Sequence, residues 1–275
     1  MFLGVDTAAR ISAAQAKKLR ENGVSFVGRY LVPAGMGKDL TASEIAGLRG
    51  AGLAILLCWE IGAGDIKGGA ARGAQDGSRA KALAKGFGVP ECTTIFFACD
   101  YCPVQADYPA IEAYLRAAQA ACAPYTAGLY GCAKIVDHIA QQGASGKFWQ
   151  CVAWSEGKIS QHTNVYQYQW SGGPESKAMQ AKIGVPVDMN RSEDLKAAGL
   201  WMPKTPTPAP AWYDPSMAWA EKFGLIKDGR PNDPVTRAEL ATVLMRYDKI
   251  IDAKILEAMN LLQPDDPSLG GIISN

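Results

Sequence analysis

Short apolar runs recur between residues 2 and 188 and alternate with segments of helical spacing. Apolar runs separated in this way are typical of parallel strands that are buried on both faces. The eight runs are FLGVD (2–6), SFVGRY (25–30), LAILLCWE (53–60), TIFFACD (94–100), AGLYG (127–131), FWQCVAW (148–154), VYQYQ (165–169) and GVPVD (184–188). They predict an α/β fold, an irregular (β/α)8 TIM-like barrel. The irregularity is expected after residue 150, where the connecting segments are too short or too polar for good helices.

Helices are predicted between several of these runs. One extends from Ser12 to Asn22, and Gly23 follows as a C-terminal cap. Thr41 and Glu44 have the spacing of a capping box at the start of the next helix. Further helices are predicted at residues 108–121 and 133–142.

A proline-rich segment divides the chain. Residues 203–211, PKTPTPAPA, contain four prolines and favour an extended spacer. We therefore predict a barrel at 1–202, a linker at 203–211 and a small all-α module at 212–275.

The small module is predicted to contain helices at 217–223 and 237–247 and a third amphipathic stretch to about Leu262. Apolar residues recur there at spacings of three or four. The members of this stripe are Leu240, Leu244, Tyr247, Ile251, Ile255, Ala258 and Leu262. The stripe must be buried either within its own module or in a homo-oligomer, and we predict self-association through this helix.

Composition argues against several classes of partner. The net charge of +1 gives no strong field for nucleic acid or anionic lipid, and no run approaches the roughly 18 apolar residues of a membrane span. The start, MFLGVDTAAR, lacks a basic leader before an apolar core, so no signal peptide is predicted. The expectation is a protein made in the host cytoplasm that reaches the wall after release, as phage lysins do.

Cysteine and histidine usage argues against metal and thiol chemistry. The seven cysteines are an odd number, and most are expected to be small core residues. The two histidines, His138 and His162, have no metal-ligand spacing. This pattern disfavours zinc amidases and Cys–His peptidases, and no metal or other cofactor is expected.

Nearly every predicted strand ends in a polar or charged residue. In a parallel barrel the C-terminal strand ends meet at one face, where barrel active sites are built. The residues at these ends are Asp6, Arg29, Tyr30, Glu60, Asp100, Tyr130, Gln150, Gln167 and Asp188. Four carboxylates are thus expected in one cleft.

Four carboxylates at one cleft match the needs of glycoside hydrolysis, in which one carboxyl donates a proton and another stays ionised. Glu60 and Asp100 are the predicted pair, and either can be the acid. Asp6 and Asp188 are predicted to orient substrate or water, or to stabilise positive charge. The predicted substrate-binding residues are Arg29, Tyr30, Tyr130, Gln150, Trp154 and Gln167. The structural alternatives are an Asp6–Arg29 ion pair, and Tyr130, Gln150 and Gln167 serving only to satisfy neighbouring polar groups.

These residues also carry a family resemblance. The pieces are GVD (4–6), FVGRY (26–30), Glu60, FFACD (96–100), GLYG (128–131), WQ (149–150), YQY (166–168) and VD (187–188). They resemble the glycoside-hydrolase-like domains of phage lysins and of some secreted actinobacterial proteins. That family is similar to family 25 lysozymes, which cleave between N-acetylmuramic acid and N-acetylglucosamine on an irregular β/α-barrel.

The chain departs from the lysozyme pattern after the fourth strand. Family 25 lysozymes carry Asp-x-Glu there, whereas this chain has Asp100-Tyr101-Cys102. The second carboxylate is therefore missing from its usual position, and Glu60, one strand earlier, is its expected replacement.

Residues 212–248 resemble a surface-layer homology motif. The matching pieces are WYDP (212–215), Trp219 with FGLI (223–226), DGRPNDP (228–234) and TRAE (236–239). The resemblance implies binding of a secondary cell-wall polysaccharide through Asp214, Trp219 and Arg237, with Arg237 meeting an acidic sugar substituent.

The sequence as a whole predicts an antimicrobial endolysin-type enzyme of bacteriophage origin. It would cleave the glycan backbone of peptidoglycan like a muramidase and be directed to the bacterial wall by its C-terminal module. The alternative from another class is a non-catalytic wall-carbohydrate-binding protein on a barrel scaffold. A third interpretation is a host surface protein, against which the missing signal peptide counts.

Overall fold

The computed structural model describes residues 1–203 and 237–261 and divides the chain into two compact units, Met1–Lys204 and Thr205–Asn275. In the first unit the strands are β1 (Phe2–Asp6), β2 (Val24–Tyr30), β3 (Ala54–Trp59), β4 (Thr94–Ala98), β5 (Thr126–Gly131), β6 (Phe148–Cys151), β7 (Val165–Gln169) and β8 (Asp188–Ser192). Its helices are α1 (Ala13–Glu21), α2 (Ala42–Gly50), α3 (Gly69–Gly86), α4 (Tyr108–Cys122), α5 (Ala133–Gln141) and α6 (Pro174–Ile183). The second unit contains α7 (Arg237–Leu261).

The eight strands form a closed barrel in sequence order, which confirms the predicted fold class. Strands β1 to β7 run parallel to one another, but β8 runs antiparallel to both β7 and β1. No helix lies between β6 and β7, where the sequence predicted an irregular crossover.

Alternate residues of each strand face the barrel interior and the helix layer. In β4, the Phe96 ring packs inside against Trp149 at 6.1 Å between centroids, and the Phe97 ring packs outside against Tyr114 of α4 at 5.8 Å. Because both faces are covered, the strands read as continuous apolar runs. Whether a side chain near a strand end faces the barrel mouth or the helix layer therefore depends on its place in this alternation.

Arg29 faces the helix layer, so its predicted role in substrate binding is wrong. Its side chain is fully buried and forms a two-pronged ion pair with Glu44 of α2, with Nε–Oε1 at 2.6 Å and Nη2–Oε2 at 3.2 Å. A third donor, Nη1, binds the carbonyl oxygen of Thr7. The alternative of an Asp6–Arg29 pair is also wrong, because Glu44 is the partner.

The same contacts revise the predicted capping box. The Thr41 hydroxyl does accept the Glu44 backbone N–H at 3.2 Å. The Glu44 carboxylate, however, accepts from Arg29 and from the Ile11 N–H at 2.8 Å instead of returning to the cap. A complete capping box stands at α1, between Ser12 and Gln15.

The segment after β8 returns to the N-terminal end of the barrel. The backbone groups of Trp201 and Ile55 exchange two hydrogen bonds of 2.9 Å, and Thr94 N–H donates to the Gly199 carbonyl at 2.7 Å. Gly199 has a φ of +74°, and a side chain there would collide with Thr94. These contacts attach residues 195–201 to the barrel.

Strand β8 begins where the sequence analysis expected a strand to end. Gly184 is the left-handed cap of α6, and Pro186 has no N–H for a strand ladder. The strand therefore comprises Asp188–Ser192 rather than 184–188. Because β8 is reversed, its first residue still lies at the barrel mouth.

In the second unit, α7 is one continuous helix where two consecutive stretches were predicted. Leu244, Tyr247, Ile251 and Ile255 are exposed along it. Self-association through this helix stays a prediction. The predicted helix at 217–223 lies outside the described residues. Within residues 1–203 and 237–261, no helix combines the length and the apolar character that crossing a membrane requires.

The buried Arg29–Glu44 pair should be costly to break. Glu44→Gln leaves the guanidinium buried without its counter-charge, so the free energy of unfolding should fall by about 3–5 kcal/mol. Urea titration of both proteins measures this difference. In the matched control, Glu112→Gln removes the partner of the half-exposed Arg116 and should cost no more than about 1 kcal/mol. Equal effects of the two substitutions would contradict the structural role of Arg29.

Candidate active site

The site is built from the inward-facing residues at the barrel mouth. A Cβ placed at Gly28 would lie 2.6 Å from the Asp6 Cβ and 3.6 Å from the Trp149 ring, so these three residues share the interior. Gly28 leaves the space that Asp6 occupies. Any larger residue at position 28 would push the carboxyl group out of place.

Two of the predicted acids are joined by one amide group. Gln167 Nε2 donates to Asp6 Oδ2 at 3.0 Å and to Asp188 Oδ2 at 2.9 Å. Its Oε1 accepts from the Tyr130 hydroxyl at 2.9 Å. The register explains the meeting, since Asp6 and Asp188 are direct partners on antiparallel β1 and β8. The structure thus brings together four residues that the sequence predicted for the site.

Asn190, which the sequence analysis missed, holds Asp6 from a second side. Its Nδ2 donates to Asp6 Oδ2 at 2.6 Å, and its Oδ1 accepts from Trp149 Nε1 at 2.8 Å. Indole N–H is only a donor, so Trp149 fixes which end of the amide faces Asp6. Asn190 was missed because the predicted strand ended at residue 188, whereas in the structure Asn190 lies two residues from Asp188 on the same face of β8.

The surroundings of Asp6 raise its pKa. Burial raises the pKa of Asp6 to about 7, and the charges of Asp188 and Asp100 act in the same direction, against the hydrogen bonds from Asn190 and Gln167. Burial also raises the pKa of Asp188; the Ser171 backbone N–H opposes this shift and the charge of Asp100 adds to it. This pair therefore retains a proton to higher pH than ordinary carboxyl groups do.

Glu60 and Asp100 lie close enough to influence each other on the neighbouring part of the mouth. Burial raises the pKa of Asp100, the charge of Glu60 adds to the shift, and Lys38 opposes it. Lys38 Nζ donates to Glu60 Oε1 at 3.0 Å and lies 4.5 Å from the centre of the Tyr30 ring. Glu60 thus has a fixed cationic partner, whereas Asp100 has none of comparable closeness.

Lys38 was also missed by sequence analysis. It lies in the loop between β2 and α2, after Gly35 and Gly37, which both have positive φ. A lone lysine in a glycine-containing loop carries no recognisable signal, because the contact depends on how the loop folds over the mouth.

Gln150 lies outside the carboxylate cluster, so its predicted role in substrate binding is wrong. It is fully buried on the outer face of β6. Its Nε2 donates to the Lys158 carbonyl at 2.8 Å, and its Oε1 accepts from Ser160 N–H and the Thr163 hydroxyl, each at 2.8 Å. Gln150 therefore organises the loop between β6 and β7, as the structural alternative proposed.

Trp154 lies in that same loop and is exposed, with a positive φ of 54°. Its exposure is compatible with the predicted contact to sugar rings. Tyr130 packs on Trp149 at 4.5 Å between ring centroids, which keeps its hydroxyl directed at Gln167. Tyr30 borders the mouth beside Lys38.

Cys102 stands where the lysozyme pattern has its glutamate. Its thiol is exposed and accepts a contact from Lys134 Nζ at 3.1 Å. A carboxylate is thus absent from this position. All seven cysteines are free, and five of them are buried.

Among the described residues, no group of three or more His, Cys, Asp or Glu side chains is arranged to hold a metal ion. The predicted wall-binding residues Asp214 and Trp219 lie outside the described residues. Arg237 is the first residue of α7, and its side chain is likewise outside them.

The raised pKa of Asp6 has a consequence for stability. The folded protein holds a proton that the unfolded chain releases above pH 4, so the free energy of unfolding falls as pH rises from about 4 to about 7. Asp6→Asn removes this loss while its amide oxygen can still accept hydrogen bonds. The melting temperature of the variant minus that of the unchanged protein should therefore increase between pH 5 and pH 8. A difference that stays constant or decreases over this interval argues against a buried, proton-retaining Asp6.

A family model and a known protein that resemble this chain point to the same family. A family model described as Rv2525c-like, glycoside hydrolase-like domain matches residues 17–192. Rv2525c of Mycobacterium tuberculosis, provisionally named a peptidoglycan hydrolase, is 30% identical over 138 residues, which are 49% of this chain and 57% of that protein. The aligned region thus spans little more than half the length of this relative.

Solved structures agree with the fold. The crystal structure of Rv2525c in complex with L-tartrate superimposes with a TM-score of 0.63 at 27% identity, covering 73% of this chain and 98% of that one. An uncharacterised B. stearothermophilus protein gives a TM-score of 0.54 at 20% identity, covering 73% of this chain and 100% of the other, and supports the fold alone.

One expectation is corrected by this comparison. We expected a cytoplasmic product without a signal peptide, and this expectation is contradicted by the M. tuberculosis relative, which is described as a Tat-secreted protein and therefore uses a signal-peptide route. The match over residues 17–192 covers most of the barrel, including the strands that carry Asp6's partners Gln167 and Asn190. The chain belongs to the Rv2525c-like family of glycoside hydrolase-like domains.

Proposed function

We propose that this protein hydrolyses the glycan strand of bacterial peptidoglycan at the mouth of its barrel. The observation that carries the proposal is the convergence of four carboxyl groups there, with proton-retaining and charge-paired members side by side. Membership of a glycoside hydrolase-like family and similarity to a protein named for peptidoglycan hydrolysis support the same substrate class. The proposed cut is of the muramidase type, as in an endolysin.

Asp100 is the proposed proton donor, and Glu60 is its ionised partner. Burial and the charge of Glu60 raise the pKa of Asp100, which is the direction that a proton donor needs, and Asp100 is less buried than Asp6. Lys38 stabilises the negative charge of Glu60. The Asp100 proton passes to the glycosidic oxygen as the C–O bond breaks. Glu60 either accepts a proton from the water that attacks the anomeric carbon, or attacks that carbon itself. In the second case water then cleaves the resulting glycosyl ester, with ionised Asp100 taking the proton of that water and Glu60 leaving as carboxylate.

Asp6 and Asp188 are proposed to orient substrate and to stabilise the positive charge that develops on the sugar ring. Gln167 holds both oxygen atoms in fixed positions, so no reorganisation is needed during the reaction. Tyr30, Tyr130 and Trp154 are proposed to contact the glycan around them.

Replacing either member of the proposed pair should abolish hydrolysis. Glu60→Gln and Asp100→Asn keep side-chain size, and each should reduce the rate of wall clearing by about a hundred- to ten-thousand-fold. Turbidity of a suspension of purified walls measures the rate, and a retained melting temperature shows that the fold survives. The control is Glu193→Gln, an exposed carboxylate just beyond the other end of β8, which should leave the rate unchanged. A fully active Glu60→Gln protein would show that Glu60 is not the ionised partner of the reaction.

A non-catalytic carbohydrate-binding protein is the second candidate, favoured by Cys102 at the position of the lysozyme glutamate. If both acid variants and the unchanged protein bind walls equally and none clears them, this candidate is correct and hydrolysis is not.

We further propose that residues 212–275 direct the barrel to the wall by binding a secondary polysaccharide. A protein ending at Lys204 should fold, because residues 195–201 already complete the barrel and the first compact unit ends there. It should keep its activity on soluble wall fragments but pellet more weakly with intact walls, since the second unit adds local concentration. Equal pelleting of the two proteins would contradict targeting by the C-terminal unit.

A further inference from the structure

Trp170, immediately after β7, is the most exposed of the tryptophans in the described part of the chain. Of those five tryptophans, Trp59, Trp149 and Trp201 are buried, Trp154 is 41% exposed and Trp170 is 65% exposed. An indole of that exposure leaves a large apolar surface in water, which is informative when it borders a polar cleft.

The backbone around Trp170 is tied to the carboxylate cluster. Trp170 directly follows the last residue of β7 and lies three residues after Gln167, whose amide donates to both Asp6 and Asp188. The Trp170 carbonyl accepts the Gly173 N–H at 2.9 Å, which closes a tight turn. The indole is therefore attached just beyond the end of the strand that carries Gln167.

The Trp170 ring packs on the backbone of Gly172. A Cβ placed at Gly172 would lie 1.7 Å and 2.0 Å from two atoms of the Trp170 six-membered ring. The indole thus rests directly on the Gly172 backbone and leaves most of its surface free. Gly172 has no positive φ, so glycine is needed here because the ring occupies the place of a side chain, and not because of the backbone conformation.

We propose that Trp170 is a stacking platform for one pyranose ring of the glycan bound at the barrel mouth. A pyranose presents C–H groups on its faces, and an indole offers a rigid apolar face with little conformational entropy to lose. Its position at the end of β7 sets the platform at the β7–β8 side of the cleft, where it fixes one sugar beside Asp188. The choice of a glycan as ligand rests on the proposed function.

The test measures binding without turnover. In the Asp100→Asn background, calorimetric titration with a tetrasaccharide of alternating N-acetylglucosamine and N-acetylmuramic acid gives the dissociation constant. Trp170→Ala should raise that constant about five- to tenfold, from the loss of a stacking contact. Trp170→Phe should restore part of the affinity. Gly172→Ala keeps the indole but displaces it, and should also weaken binding.

The matched control is Phe2→Ala, which removes an exposed aromatic ring at the opposite end of the barrel and should leave the dissociation constant unchanged. Melting temperatures equal to that of the parent protein show that a loss of binding does not come from unfolding of the variant. Binding by Trp170→Ala within twofold of its parent, full affinity of Gly172→Ala, or an equal loss in Phe2→Ala overturns the platform.

Failure of the platform and failure of the proposed hydrolysis are distinguishable. If the unchanged protein releases reducing ends and Trp170→Ala has the same KM, the platform is wrong while hydrolysis stands. If no reducing ends appear but tetrasaccharide binding still depends on Trp170, hydrolysis is wrong while the platform stands.

Discussion

The reversed direction of β8 is the constraint on which the site depends. Strand β8 closes the barrel by pairing antiparallel with β1, which sets Asp188 opposite Asp6 and Asn190 opposite Gly4. In a parallel strand the first residue would lie at the far end of the barrel, remote from the mouth. Reversal therefore supplies the mouth with an acid and an amide from the start of a strand, where all other strands supply theirs from the end.

The amide network turns this proximity into a defined electrostatic state. Gln167 and Asn190 are neutral, yet each is held in one orientation by a donor behind it, Tyr130 and Trp149 respectively. Two carboxyl groups can then share a buried site without a cation, at the cost of retaining a proton. Elsewhere at the mouth the arrangement differs, because the carboxylate of Glu60 is paired with a cation, Lys38. Active sites commonly accept such local instability in exchange for function.

Much of this arrangement could be predicted from the sequence. Eight apolar runs predicted the barrel, and the rule that strand ends converge predicted that Asp6, Tyr130, Gln167 and Asp188 meet. Arg29 and Gln150 were misassigned because strand ends were considered without the alternation of faces. Gly28 and Tyr30 face inward, so Arg29 must face the helices.

Other features could not be predicted from local pattern. The contact of Lys38 with Glu60 and the packing of Trp170 on Gly172 depend on loop conformations that only the folded barrel defines. The reversal of β8 was hidden because the preceding segment, GVPVD, resembles a strand until Gly184 and Pro186 are recognised as the end of α6 and a break.

The central claim, that the carboxyl groups at this mouth cleave glycosidic bonds, is tested most directly by product chemistry. Purified peptidoglycan is incubated with the unchanged protein, the products are reduced with borohydride, and the fragments are identified by mass spectrometry. The account predicts new reducing ends on the glycan, with N-acetylmuramic acid as the reduced residue and no new free amines. Fragments that carry new amines, or walls that release no fragments at all, would contradict it.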